Sequence, residues 1–221
     1  MKRTELARYI EGTLVKNAHT EEEVTKCAEI AKQYHMGAMV TNPCYTKLIA
    51  EALRGSDVLI GGVSSFPWGA GTTEIKIAEA KRCILDGAQE IDTVMNLNAL
   101  LSGNDQAVVE DIRAMKEAIG DIPLKVIIEA AQLNDDGLIR HAARLVVEGH
   151  ADYVKTCTGF NGGSDVHMVQ IIKDTVGDSA LIKAAAGIRT AEYAQQLIEA
   201  GANRLGIGFA SAVEILNSME E

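Results

Sequence analysis

Short apolar runs recur along the chain, each followed by a polar or glycine-bearing turn and then by a stretch with apolar residues three and four apart. The runs cover 9–13, 37–41, 58–63, 90–95, 124–129, 152–156, 180–185 and 204–208, and each has the length of a β-strand. Between them, Thr20-Glu21-Glu22-Glu23 has the form of a capping box and predicts a helix to about Tyr34. The spacing predicts further helices over 72–86, 105–119, 134–148, 165–175 and 190–200. Glycines in "LDGAQ", "VEGHA" and "EAGAN" stand where helices commonly end on a left-handed residue.

Strands alternating with helices through short connections predict a parallel sheet. Eight such units in 221 residues predict a closed (β/α)8 TIM barrel, a single domain over 1–221. A Rossmann sheet would need a GxGxxG turn after its first strand, and none is there. A flavodoxin-like or other open sheet is the alternative. A barrel presents its functional groups where strands end and the following loops begin. Polar residues within or just after the apolar runs are therefore the candidates.

Composition narrows the partners. With a formal charge of −10, the chain is a poor match for a broad nucleic-acid surface. Its apolar runs are too short to span a bilayer, and "MKRTELARYIEGTL" lacks the apolar stretch of a signal peptide. These features predict a cytoplasmic protein with neither membrane nor nucleic acid as partner. Cys27, Cys44, Cys83 and Cys157 are widely separated, which predicts reduced thiols and no structural metal. The histidines His19, His35, His141, His150 and His167 form no spaced cluster.

Three ionisable residues interrupt strand-like runs: Asp92 in "EIDTVMN", Lys155 in "DYVKTCTGF" and Lys183 in "LIKAAAG". Alternation puts Lys155 and Tyr153 on one face of their strand, with Val154 and Thr156 on the other. A buried ammonium is unfavourable unless it is paired, neutralised or used. Two lysines and an aspartate in one lumen have a chemical use: a neighbouring cation and desolvation make one amine nucleophilic, and the carboxylate moves protons. A buried ion pair that only fixes strand register is the plainer alternative. Glu129 and Glu11 are candidates for the same network, and Lys125 is expected toward the opposite end of its strand.

These segments resemble deoxyribose-phosphate aldolase, a class I aldolase family built on a (β/α)8 barrel. "FPWGAGTTEIKIAEA" is similar to the family's F-P-x-G-x-x-T-T-x-x-K-x-x-E-A block, and "GAQEIDTVMNLNAL" to its G-A-x-E-I-D-x-V-x-N block. "LKVIIEA", "ADYVKTCTGF" and "IKAAAGIRT" are similar to the segments that follow, so the resemblance runs over almost the whole chain. It implies Lys155 as Schiff-base nucleophile, Lys183 as the lysine that perturbs it, and Asp92 as proton relay. The implied reaction is reversible cleavage of 2-deoxyribose 5-phosphate to acetaldehyde and glyceraldehyde 3-phosphate, without metal or organic cofactor. A monomer or homodimer is implied, with a small aldehyde or sugar phosphate as partner.

The chain departs from the family pattern at four segments. Glu11-Gly12-Thr13 stands where the family usually has D-H-T, and Cys157-Thr158-Gly159 where it has S-T-G. Cys157 has no histidine nearby in sequence to make it a nucleophile. In the family, a Gly-Gly turn and serines after the last strand hold the phosphate; here Ala186-Gly187 and Ile207-Gly208-Phe209 replace them. The substrate-binding set so implied is Thr158, Gly159, Ala186, Gly187, Gly208 and Phe209. A Cβ at Ala186 and apolar bulk at Phe209 predict weakened anchoring of the phosphate. Aldol or related iminium/enamine chemistry on a non-phosphorylated aldehyde is the alternative function, through divergence or redesign of the pocket. Trp68 falls in a loop at the same face, as a pocket wall or as packing over the barrel mouth.

Overall fold

The computed structural model describes residues 1–220. Eight parallel strands close into a barrel in sequence order. They are β1 (Ile10–Leu14), β2 (Ala38–Thr41), β3 (Leu59–Ser64), β4 (Glu90–Val94), β5 (Leu124–Ile127), β6 (Tyr153–Lys155), β7 (Leu181–Ala185) and β8 (Arg204–Gly208). The first helices are α1 (Arg3–Tyr9), α2 (Glu21–Tyr34), α3 (Thr46–Ala52), α4 (Thr73–Leu85), α5 (Leu97–Leu101) and α6 (Asp105–Ile119). The chain continues with α7 (Ala130–Leu133), α8 (Asp136–Glu148), α9 (Val166–Val176), α10 (Ala191–Glu199) and α11 (Phe209–Asn217). The architecture is the predicted (β/α)8 barrel. No helix among the described residues is long and apolar enough to cross a membrane.

Every predicted strand is present, and the capping box at Thr20 opens α2 with both reciprocal hydrogen bonds formed. The run predicted over 124–129 stops at Ile127, because Glu129 takes a left-handed conformation and begins α7. The periodicity does not predict helices α1, α3, α5, α7 and α11. Four of them have seven residues or fewer, too short for a 3.6-residue period to show. One glycine does something other than expected. In "VEGHA" the left-handed residue is His150, and Gly149 is right-handed. A Cβ on Gly149 would lie 2.5 Å from Cγ2 of Ile112, so this glycine lets α8 approach α6.

The alternation along each strand sorts side chains into two environments. Ile10, Met39, Ile91, Leu124, Val154, Ile182 and Leu205 face outward and form the apolar core beneath the helices. Burial of such side chains supplies most of the stability of a barrel layer. Gly12 belongs to this outward set; a Cβ there would meet the ring of Phe209 at 2.8 Å. The inward set is charged. Asp92 lies beside Lys125 in register, Lys125 beside Tyr153, and Lys155 beside Lys183.

Helix α4 fixes the strand ends that carry this inward set. Lys76 is fully buried, and its Nζ donates to Oδ2 of Asp111 at 2.7 Å and to the Val94 carbonyl at 3.0 Å. Thr73 donates to the other oxygen of Asp111 at 2.7 Å, and Glu79 accepts from the Ser65 amide at 2.6 Å. One helix face thus holds the ends of β3 and β4. Lys76→Met is expected to lower unfolding free energy by about 3 kcal/mol by stranding the Asp111 carboxylate. Adding Asp111→Leu should recover much of the loss, and urea denaturation of the three proteins checks both.

Candidate active site

At the C-terminal half of the lumen, Asp92 on β4, Lys155 on β6 and Lys183 on β7 converge on one oxygen. Oδ2 of Asp92 accepts from Nζ of Lys155 and from Nζ of Lys183, each at 2.6 Å. The two ammonium nitrogens therefore cannot be farther apart than those two bonds laid end to end. All three residues are buried, and Lys155, 4% exposed, is the one nearest solvent. The face of Phe66 lies 5.8 Å from its Nζ.

A second layer lies beneath. Lys125 on β5 bonds Glu11 of β1 at 2.7 Å and pairs with Glu90 of β4 at 2.5 Å. The other oxygen of Glu11 accepts from Lys183, so this carboxylate joins the two layers. Tyr153 places its ring 5.4 Å from Nζ of Lys125, and Arg204 approaches Glu11 at 3.8 Å from the N-terminal side. Lys125, expected away from the site, is thus the hub of a layer directly below it.

The electrostatics follow from burial and from these contacts. Burial pushes the Lys155 amine down to about 8; Asp92 pulls it upward, and Lys183 adds a second push downward. Burial alone would raise the Asp92 carboxyl, but Lys155 and Lys183 outweigh it and hold it below the ordinary range. Glu11 is likewise held down, burial being outweighed by Lys125 and Lys183. Lys125 moves upward, because Glu11, Glu90 and Asp92 outweigh its burial. The outcome is one amine that loses its proton near neutral pH, beside a carboxylate that stays ionised. Such a pair can attack a carbonyl and shuttle the protons that attack releases.

Around this centre the remaining predicted residues fall differently. Glu129 does not enter the lumen network; it accepts from the amide and the hydroxyl of Thr158, the amide bond being 2.9 Å. Thr158 is therefore a brace of the loop after β6, and its hydroxyl is already engaged. Gly159 is exposed in that loop in a left-handed conformation. Ala186 has φ +71, and its N–H donates to the Gly206 carbonyl at 3.0 Å, so that amide belongs to the barrel rather than to a ligand. Gly187 is exposed beside it.

Phe209 corrects the expected pocket. Its side chain is 4% exposed and packs outward against Gly12, so it adds no bulk at the mouth. Gly208, the residue before α11, is exposed, and a Cβ there would meet nothing within 4 Å. An open rim beside a helix N-terminus favours a negatively charged group. Arg189 is exposed at the same rim and donates to the hydroxyl of Ser211, tying the loop after β7 to α11. Cys157 is fully buried and its thiol is pushed up to about 11 by burial, which leaves it inert as a nucleophile.

A closed parallel barrel whose lumen presents a depressed lysine against a second lysine and a carboxylate defines an enzyme of the aldolase class, a lyase. Comparison with known proteins narrows that class. A family model described as DeoC/LacD family aldolase matches residues 10–217, and the chain belongs to that family. Deoxyribose-phosphate aldolase of Streptococcus suis is 44% identical over 216 residues, 97% of each chain. That of Brevibacillus brevis is 43% identical over 210 residues, covering 95% of this chain and 94% of its own. Among solved structures, an aldolase named QR15 superposes with a TM-score of 0.92 at 32% identity, over 97% of this chain and 95% of that one. Deoxyribose phosphate aldolase of Aeropyrum pernix, described as a tetramer, gives 0.89 at 31% identity over 98% and 92% of the two chains.

Proposed function

We propose that the protein cleaves 2-deoxyribose 5-phosphate reversibly to acetaldehyde and glyceraldehyde 3-phosphate, with Lys155 as the Schiff-base nucleophile. The observation that carries the reading is the shared Oδ2 of Asp92, which holds a depressed Lys155 and Lys183 in one buried contact. Relatives named for this activity across nearly their whole length support the substrate.

Neutral Lys155 attacks the C1 aldehyde carbon of the open-chain sugar, and loss of water from the carbinolamine leaves a protonated imine. The C3 hydroxyl gives up its proton, with Asp92 as acceptor directly or through a water. The C2–C3 bond then breaks. Its electron pair moves toward the iminium to form an enamine, and C3 leaves as the aldehyde carbon of glyceraldehyde 3-phosphate. Protonation of the enamine at C2 and hydrolysis of the imine release acetaldehyde and restore the amine. Lys183 keeps the nucleophile's pKa low, and its pairing with Glu11 keeps its own charge from standing alone in the lumen.

The phosphate tail is assigned to the rim formed by Gly187, Gly208 and the start of α11, with Arg189 as the nearby cation. Phe209 turned into the core removes the main obstacle at that rim. The kcat/KM for 2-deoxyribose 5-phosphate is therefore expected to exceed that for 2-deoxyribose. Gly208→Asp should shrink the preference by about tenfold through like-charge repulsion. Equal kcat/KM for the two sugars in the unmodified enzyme would refute the tail assignment. No cleavage of either sugar would refute the activity.

A further inference from the structure

The chain is poor in aromatics, with a single tryptophan and three phenylalanines, yet most of these gather at one place. Phe66 and Trp68 lie in the loop after β3, and Phe160 in the loop after β6. These loops arise three strands apart around the barrel and meet at its mouth. Phe66 and Phe160 stack edge to face with centroids 5.8 Å apart, and Trp68 lies 6.2 Å from Phe160. Both distances are within the range of favourable aromatic pairs. The remaining phenylalanine, Phe209, is in the core.

Two properties separate this trio from ordinary packing. Trp68 is 67% exposed and Phe160 50% exposed, so the outer rings hold apolar surface open to solvent. The inner ring, Phe66, sets its face 5.8 Å from Nζ of Lys155. Successive contacts therefore link the reacting amine through Phe66 and Phe160 to the exposed ring of Trp68. Scattered exposed apolar side chains are normal, whereas a contiguous aromatic surface leading into a site is where ligands bind.

We propose that Trp68, Phe160 and Phe66 form a subsite for the apolar tail, alkyl or aryl, of an acceptor aldehyde that joins the enamine held on Lys155. The assignment rests on the aldolase reading above. It gives the mouth two kinds of wall. Exposed backbone at Gly187 and Gly208 suits a charged tail, and the aromatic trio suits an uncharged hydrophobic one. An acceptor whose carbonyl reaches the enamine can send its chain toward either wall, and the chemistry at Lys155 is the same for both. Phe66 contributes a ring face to the iminium as well as to the tail, since a cation is attracted to the negative face of an aromatic ring.

The test uses acetaldehyde as donor and compares hexanal with glyceraldehyde 3-phosphate as acceptors, by the ratio of their kcat/KM values. Trp68→Ala and Phe160→Ala are each expected to lower the hexanal-to-phosphate ratio about five- to tenfold, the effect of losing one aromatic contact. Trp68→Phe, which keeps a ring, is expected to retain most of the ratio. An unmoved ratio in both alanine variants overturns the subsite. So does an unmoved ratio accompanied by a change in molecular mass in solution, which would make the rings a contact between copies. Covalent trapping of acetaldehyde at Lys155 is measured in parallel. Normal trapping with an unmoved ratio sinks the subsite alone, whereas absent trapping takes the aldolase reading down with it.

Discussion

Lys155→Leu is expected to abolish cleavage, lowering kcat/KM for 2-deoxyribose 5-phosphate on the order of 10⁴-fold or more, because covalent catalysis through the proposed nucleophile has no second route once that amine is gone. Leucine fills much of the volume of the lysine stem, so packing of β6 against its neighbours survives. Asp92 keeps its 2.6 Å bond to Lys183 and is not left as an isolated buried charge. The variant should therefore be folded, with a melting temperature close to that of the parent. Lys183 cannot substitute as nucleophile, because it lies deeper, fully buried, and is held by Glu11 as well as Asp92. Activity within tenfold of the parent would contradict the assignment.

Lys183→Leu is the second large effect, and its signature lies in the pH profile. In the parent, burial pushes the amine of Lys155 down to about 8, so kcat/KM is expected to rise with pH through that region as the neutral form appears. Removing Lys183 removes a like charge that depresses Lys155 and leaves the attraction of Asp92 unopposed by that neighbour. Both changes favour the protonated amine, so its pKa rises and the limb of the profile moves to higher pH. At pH 7 the loss is expected to reach about 100-fold, and part of it should return at pH 9. Lys183→Arg keeps the charge and should leave the limb close to its parental position. A loss equal at every pH would show that Lys183 only supports the structure, since misplacement alone has no reason to move the limb.

The barrel was legible because its strands are short, apolar and evenly spaced, and because charged residues inside such runs have few places to go. That logic singles out Asp92, Lys155 and Lys183, and the structure joins the three at one carboxylate oxygen. The same alternation places Glu90 two residues from Asp92 and on the same face, so the lower layer is legible in the same pattern. Lys125 was assigned to the far end of its strand, which is correct in register. In a barrel this narrow, however, the far end of one strand is still beside the carboxylates of β1 and β4. Glu129 and Phe209 show what one-dimensional spacing cannot resolve. Each follows a strand, where alternation no longer fixes direction. A left-handed turn sends Glu129 to the loop after β6, and the start of α11 sends Phe209 into the core.

The aromatic mouth was hidden for a related reason. Trp68 was visible as a loop residue, but Phe66 and Phe160 are far apart in sequence and meet only because β3 and β6 project loops over the same opening. No local pattern announces such a meeting.

Borohydride reduction in the presence of acetaldehyde tests the central claim most directly. A Schiff base reduced in place becomes a stable secondary amine, so in the peptide that contains Lys155 an ethyl group should replace one amine hydrogen, a net gain of C2H4, and trypsin cleavage at that lysine should be lost. The peptide containing Lys183 should be unmodified, and Lys155→Leu should show no label at all. Label on Lys183, or an unmodified Lys155 peptide under the same conditions, would contradict the account.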